Sequence, residues 1–219
     1  MEATAWILML WIAFGGTHML LSSSRLRPRL VDSLGEGGFL GGYSLISFAT
    51  FVPLVWIYFS NKHMGPLLWA PTLGPLLRWG VYLGMAVAFV LLFAALITPS
   101  PASISAPDKV ELRGIHRLTR HGLFMGLGLF GLLHLVVNGY ATDVAFFAGF
   151  PIFAVLGSWH QDLRKCSSQE GYREFCATTP FLPFTGRETL RGLRELSPVA
   201  VLLGVAVTIV LRWYHHLLF

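Results

Sequence analysis

LLRWGVYLGMAVAFVLLFAALI, residues 76–97, decides the fold. From Trp79 to Ile97 the run carries no charged side chain. As a helix rising about 1.5 Å per residue it reaches roughly 33 Å, enough to cross a hydrocarbon core about 30 Å thick. Working outward, five more stretches read the same way: Thr4–Leu21, Phe39–Ser60, Gly122–Asn138, Ala141–Trp159 and Pro198–Leu217. No internal repeat appears, and no soluble domain fits between the runs. The expectation is an all-α integral membrane bundle of six transmembrane helices, one domain over residues 1–219.

Composition supports this. The chain is 54% hydrophobic and 12% charged, with a mean hydropathy of +0.63, whereas soluble domains carry about 25% charged residues. The formal net charge of +5 is not a nucleic-acid signal, because the basic residues sit between apolar runs rather than in an aromatic-rich patch. They bias orientation instead. Thirteen of the sixteen fall in the first, third and fifth loops, among them Arg25, Arg27, Arg29, Lys109, Arg164 and Arg194. Only Lys62, Arg78 and Arg212 lie opposite. The positive-inside rule makes the odd loops cytoplasmic and places both termini on the non-cytoplasmic side. Without an Arg/Ser-rich leader before the first run, a bacterial inner membrane is expected. Cys166 and Cys176 share one polar segment and read as free thiols, with a disulfide or metal role as the alternative.

Eight histidines are many for so apolar a chain, because ionisable groups inside a span persist mainly when they find a partner or do chemistry. His18 follows Gly15 and Gly16 late in the first run. His134 follows Gly126, Gly128 and Gly131 inside the fourth, on a small-residue face that suits either a flat ligand or a neighbouring helix. Arg113, Arg117 and Arg120, at i, i+4 and i+7, form one stripe if that segment is helical. With His116 and His121 they make the densest polar group, suited to an anion or to orientation alone. His160 has Asp162 nearby as an orienting partner. His63, His215 and His216 read as solvated at the opposite edge, where Trp69 lies in a proline-rich cap. Hydrolase, Walker-loop and zincin signatures are missing.

The stretch Gly114-Ile115-His116-Arg117-Leu118-Thr119-Arg120-His121, with His134 thirteen residues on, resembles the NnrU family. The likeness continues through Gly157-Ser158-Trp159, Asp162-Leu163-Arg164, Gly171-Tyr172-Arg173-Glu174-Phe175 and Pro180-Phe181-Leu182-Pro183-Phe184. His18 in its glycine-rich run and the terminal Tyr214-His215-His216 also fit, the latter resembling the extra last helix of the family's 15-cis-zeta-carotene isomerase branch. That branch implies a b-type haem, its iron held by His18 and His134, and redox-linked cis-to-trans isomerisation of a polyene. Two positions differ from its pattern: Gly131 stands where it has a cysteine, and Gly122 where the family has a proline.

The resemblance implies catalytic and iron-ligating roles for His18 and His134, with His121 the rival partner of His18, and haem contacts from Arg113, Arg117 and Arg120. A depth difference of roughly 15 Å between His18 and His134 is expected from their places in their runs. The expected function is a haem b-dependent membrane isomerase of a hydrophobic polyene or lipid. Two alternatives stand beside it: a non-catalytic haem-binding accessory of denitrification, and a small S-adenosylmethionine-dependent membrane methyltransferase, which shares an Arg-His-Pro stretch.

Overall fold

A computed structural model describes residues 2–72, 74–101 and 112–218 of the chain; Lys109 lies outside them. The apolar runs form the helices α1 (Glu2–Leu21), α2 (Leu26–Ser60), α3 (Pro75–Ile97), α5 (Gly122–Val137), α6 (Ala141–Ser168) and α9 (Pro198–Leu218). The polar connections add the short α4 (Ile115–Leu118), α7 (Tyr172–Thr178) and α8 (Thr189–Arg194). Five of the six long elements are apolar and long enough to cross a bilayer, and α5 is a shorter apolar helix.

Two helices outrun the hydropathy. α2 starts at Leu26 rather than Phe39, so the basic first loop is itself helical, and the chain bends at Gly35, whose φ of 73° an L side chain rarely adopts. α6 continues past Trp159 to Ser168, since Gln161, Arg164 and Lys165 are good helix formers and nothing breaks the pattern.

The six long helices pack in a row, α2–α1–α6–α5–α3–α9, each against the next. A dry core lies between α1, α2 and α6, built from Ile7, Trp11, Leu54, Tyr58, Phe146 and Phe147. A second, around Leu91, Ala94, Ile115, Leu118 and Ala200, joins α3 to α4 and α9. Outward-facing positions carry bulky apolar side chains, among them Ile12 and Trp56 at 73% exposure and Leu76 at 89%. Water would drive such a surface together; lipid tails solvate it.

The glycine-rich face of α5 is consumed by this packing. A Cβ at Gly131 would lie 2.6 Å from the Phe147 carbonyl oxygen and 2.7 Å from Phe150 Cβ, one at Gly128 would lie 2.9 Å from Ala154 Cβ, and one at Gly126 2.8 Å from the Ala88 carbonyl oxygen. Of the two readings left open for this face, the close helix contact is realised. The second loop is a strap across the α5–α6 turn: Leu68 N–H donates to the Gly139 carbonyl and Ala141 N–H to that of Pro66, and Trp69 Nε1 donates to Leu135 at 3.0 Å.

Candidate functional site

His134 projects into a cleft whose floor is α3 and whose walls are α5 and α9. The walls share no packing contact, so the cleft is open between them. Val81, Met85, Phe89, Phe130 and Leu211 make it apolar, and Arg78, Tyr82, Asn138, Arg212 and His215 gather its polar groups toward the end where α3 begins and α9 finishes. Its volume of about 590 Å³ is in the range of small-molecule and cofactor sites. Within it, His134 Nδ1 lies 2.9 Å from the Phe130 carbonyl oxygen. A carbonyl only accepts, so Nδ1 carries the hydrogen and Nε2 keeps its lone pair for a ligand. Phe147 stacks against the ring, centroids 4.3 Å apart, which fixes the imidazole plane.

His18 shows the same local arrangement, Nδ1 3.1 Å from the Phe14 carbonyl oxygen, in different company. Phe14, Tyr43 and Phe153 surround it, and its Nε2 lies 3.4 Å from Ser47 Oγ. His18 and His134 both pack against α6. α1 and α5 share no packing contact, while α6 touches both. His18 meets Phe153 of that helix and His134 meets Phe147, positions about 9 Å apart along its axis. A run of ring contacts links His18 to His121 through Phe153 and Phe124.

His121 belongs to another cluster. Its Nε2 is 2.9 Å from Asp162 Oδ1, where the Tyr172 hydroxyl also donates at 2.9 Å. Arg120 closes on the other oxygen, donating from Nε at 2.9 Å and Nη2 at 2.8 Å. Its Nη1 donates to the Thr179 carbonyl at 2.7 Å. Burial first, then the Asp162 charge, raises the Tyr172 phenol, so it remains a donor. Asp162 thus orients His121, Arg120 and Tyr172; His160, two residues away and on a different side of the helix, is not its partner. Burial and the same carboxylate push the Cys176 thiol up to about 12. Cys166 and Cys176 are free, with Sγ atoms 3.8 Å apart.

The arginine stripe does not form. α4 ends at Leu118 and Thr119 is extended, which puts Arg120 off the helix. Arg113 sits in the turn before α4. Arg117 donates from Nε to Glu195 at 2.7 Å and pairs through Nη1 with Glu188. Arg117 and Arg120 therefore hold carboxylates of this chain and bind its loops together. The Gly114 N–H and Arg117 hold the Glu195 carboxyl down to about 2, against 4.5 ordinarily. A depressed value in the folded state means that the stabilisation is complete above about pH 4.5 and fades as pH falls toward 2. Acid unfolding in detergent, followed by circular dichroism, is expected to show this loss in the wild type and a smaller one in Glu195→Gln; superimposable profiles would refute the clamp.

Several polar groups escaped the sequence reading. Asp143, fully buried in the first turn of α6, accepts from the Tyr58 hydroxyl at 3.2 Å and lies 2.8 Å from His63 Nδ1. His63 is therefore held rather than simply solvated, and His215 lines the cleft; the side chain of His216 lies outside the described residues. The available signal was acidic: a carboxylate at the edge of an apolar run demands partners.

Apolar side chains turned outward along every long helix and polar groups gathered between those helices define a small polytopic integral membrane protein. It belongs to the NnrU family: the model of that family, described as NnrU protein, matches residues 6–219. The chain is also similar to the chloroplastic 15-cis-zeta-carotene isomerase of Arabidopsis thaliana, with 24% identity over 193 residues, 84% of this chain and 52% of that protein. It spans about half the length of this curated relative. No solved structure matches it significantly.

Proposed function

We propose that the chain is a membrane isomerase converting a cis double bond of a polyene or comparable lipid to trans, with haem b held by His134. The observation that carries this reading is the cleft: an imidazole with an available Nε2 faces an apolar space open between α5 and α9. Family membership and the likeness to a named carotenoid isomerase support the reaction class. The residues of the cleft suit a haem: one fixed nitrogen donor, apolar walls for the macrocycle and cationic side chains toward one end. When bound, the iron would supply redox chemistry beside the double bond that ordinary side chains lack. The chain itself holds and orients. The Phe130 carbonyl fixes the His134 tautomer, Phe147 fixes its plane, and Met85, Phe89 and Phe130 exclude water from the space a hydrocarbon would share.

Protein purified in detergent from haem-replete cells is expected to show a Soret band, and to convert a cis polyene supplied in mixed micelles, read by chromatographic isomer ratio. His134→Ala is expected to lose both. Colourless, iron-free wild-type protein would overturn the cofactor assignment. A normal Soret band with an unchanged isomer ratio would overturn the isomerase and leave a haem-binding accessory.

A further inference from the structure

Independently of the cofactor and the reaction, we infer that α3 and α9 carry a seat for an anionic phospholipid, its phosphate held by Arg78 and Arg212 and an acyl chain laid along α9. A depression of about 740 Å³ follows the seam between these helices at the membrane edge where α3 begins and α9 ends. Arg78, Trp79, Tyr82, Ile209, Arg212 and Trp213 line it. None of its lining residues belongs to α5, so it is a separate opening from the cleft, although Arg78, Tyr82 and Arg212 border both. Gly204 lies against Val90 and Arg212 against Tyr82, so the two helices run antiparallel with Arg212 level with Tyr82. Arg78, one turn before Tyr82, stands about 6 Å nearer the edge. Two such long side chains, one turn apart, suffice to close on one phosphate.

The guanidinium groups are available, and one of them is aimed. Among the described residues neither Arg78 nor Arg212 pairs with a carboxylate. Arg212 donates from Nε to the Tyr82 hydroxyl at 2.8 Å and lies over that ring, 5.1 Å from its centroid. Trp79 packs edge-on against the same ring at 5.9 Å. One edge of the Arg212 fork is thus fixed, and its Nη edge is left for an anion. The apolar surface beside it says what kind of anion. Trp213, Ile209, Val205 and Leu202, at i, i−4, i−8 and i−11, form one stripe of α9, and all four are exposed. Trp79 and Trp213, exposed beside Arg78 and Arg212, mark the interfacial depth that tryptophan prefers and that lipid phosphates occupy. A free phosphate would use the arginines and none of this apolar track. A zwitterionic headgroup would bring its own cation toward the two arginines, so a net negative headgroup is favoured.

The test uses the full-length protein in mixed micelles with phosphatidylglycerol carrying a photoreactive group on an acyl chain, the labelled positions being mapped by mass spectrometry. Label is expected on residues 205–213 of α9. Unlabelled phosphatidylglycerol should displace it at least about tenfold more effectively than phosphatidylcholine of the same chains, since charge-assisted contacts favour the net anion. Excess inorganic phosphate is expected to leave the label in place. Arg78→Gln with Arg212→Gln should reduce labelling of α9 by about tenfold, with the circular dichroism of the wild type. Arg78→Lys with Arg212→Lys keeps the charges, guards against misfolding, and should fall between that pair and the wild type. Tyr82→Phe keeps both charges and the ring but no longer aims Arg212, and should weaken labelling by about threefold. The inference falls if phosphatidylcholine competes equally, or if the glutamine pair labels α9 as the wild type does. Displacement by inorganic phosphate would also overturn it, leaving a phosphate site without a lipid. So would an equal loss of the α9 label in Arg25→Gln with Arg29→Gln, which would make net charge, and not a site, the cause.

Discussion

Asp162→Ala is expected to destabilise the protein by about 3–5 kcal/mol, the cost of removing one partner from an enclosed charge cluster. The carboxylate receives two hydrogen bonds from Arg120 and one from Tyr172, and lies against His121 Nε2. The Asp162 and Arg120 side chains are each only 12% exposed. With alanine there, the guanidinium keeps carbonyl partners alone, and the Tyr172 hydroxyl, on a ring buried to 1% exposure, has no acceptor in their place. Titration with sodium dodecyl sulfate against a mild detergent, followed by circular dichroism, would read the loss. Arg120→Ala should cost a similar amount, and the double variant less than the sum, because the second removal no longer strands a charge. Asp162→Ala within 1 kcal/mol of the wild type, or strict additivity with Arg120→Ala, would show that the cluster contributes little.

This cluster also explains what the Arg120-His121 segment does. The Arg120 N–H donates to the Pro180 carbonyl at 3.0 Å, Thr119 Oγ1 to that of Phe181 at 2.7 Å, and the Phe184 N–H to that of Leu118 at 3.1 Å. The Gly114–His121 and Pro180–Phe184 stretches, two separate signatures in the sequence, are therefore one structure. They tie the start of α5 to the end of α6 through α7. In the fold Arg117 and Arg120 lock these loops together.

What the sequence made legible was set by hydropathy. The starts and ends of α3, α5 and α9 fall within a residue of the apolar runs, because a span must satisfy every backbone group within itself and so begins and ends where the side chains change character. The beginning of α2 and the end of α6 lie in polar sequence, where hydropathy is silent and helix propensity decides. The candidate site was legible only as a list. Which imidazoles meet depends on the lateral order of the helices, and a row with α6 between α1 and α5 cannot be read from spacing along the chain. His134 was found through its glycines, although these serve packing against α6 and α3. Its neighbours Arg78, Arg212 and His215 were passed over as edge residues, since nothing local distinguishes an arginine facing lipid headgroups from one facing a cleft.

Asp143 offers the sharpest check on the opposite end of α6, because the expected result includes a rescue. The carboxylate has no exposure and is embraced by the Tyr58 hydroxyl, the His63 N–H at 3.2 Å and His63 Nδ1, with the positive end of the α6 dipole beside it. It also accepts the backbone N–H of His63, which has a φ of 56°, a left-handed conformation uncommon outside glycine. Asp143→Ala is expected to cost about 3 kcal/mol and to release the strap that begins at His63, since three donors lose their acceptor together. Tyr58 is 1% exposed, and the hydroxyl stranded by that change is part of the penalty. Tyr58→Phe in the Asp143→Ala background should therefore recover roughly 1 kcal/mol, although in the wild-type background the same change is destabilising. Asp143 and Asp162 stand nineteen residues apart on one helix, about 28 Å, with no partner in common, so the costs of Asp143→Ala and Asp162→Ala should add to within about 0.5 kcal/mol. A Tyr58→Phe change that further weakens Asp143→Ala would mean that the hydroxyl finds another acceptor and that the carboxylate is not what holds this end of the bundle.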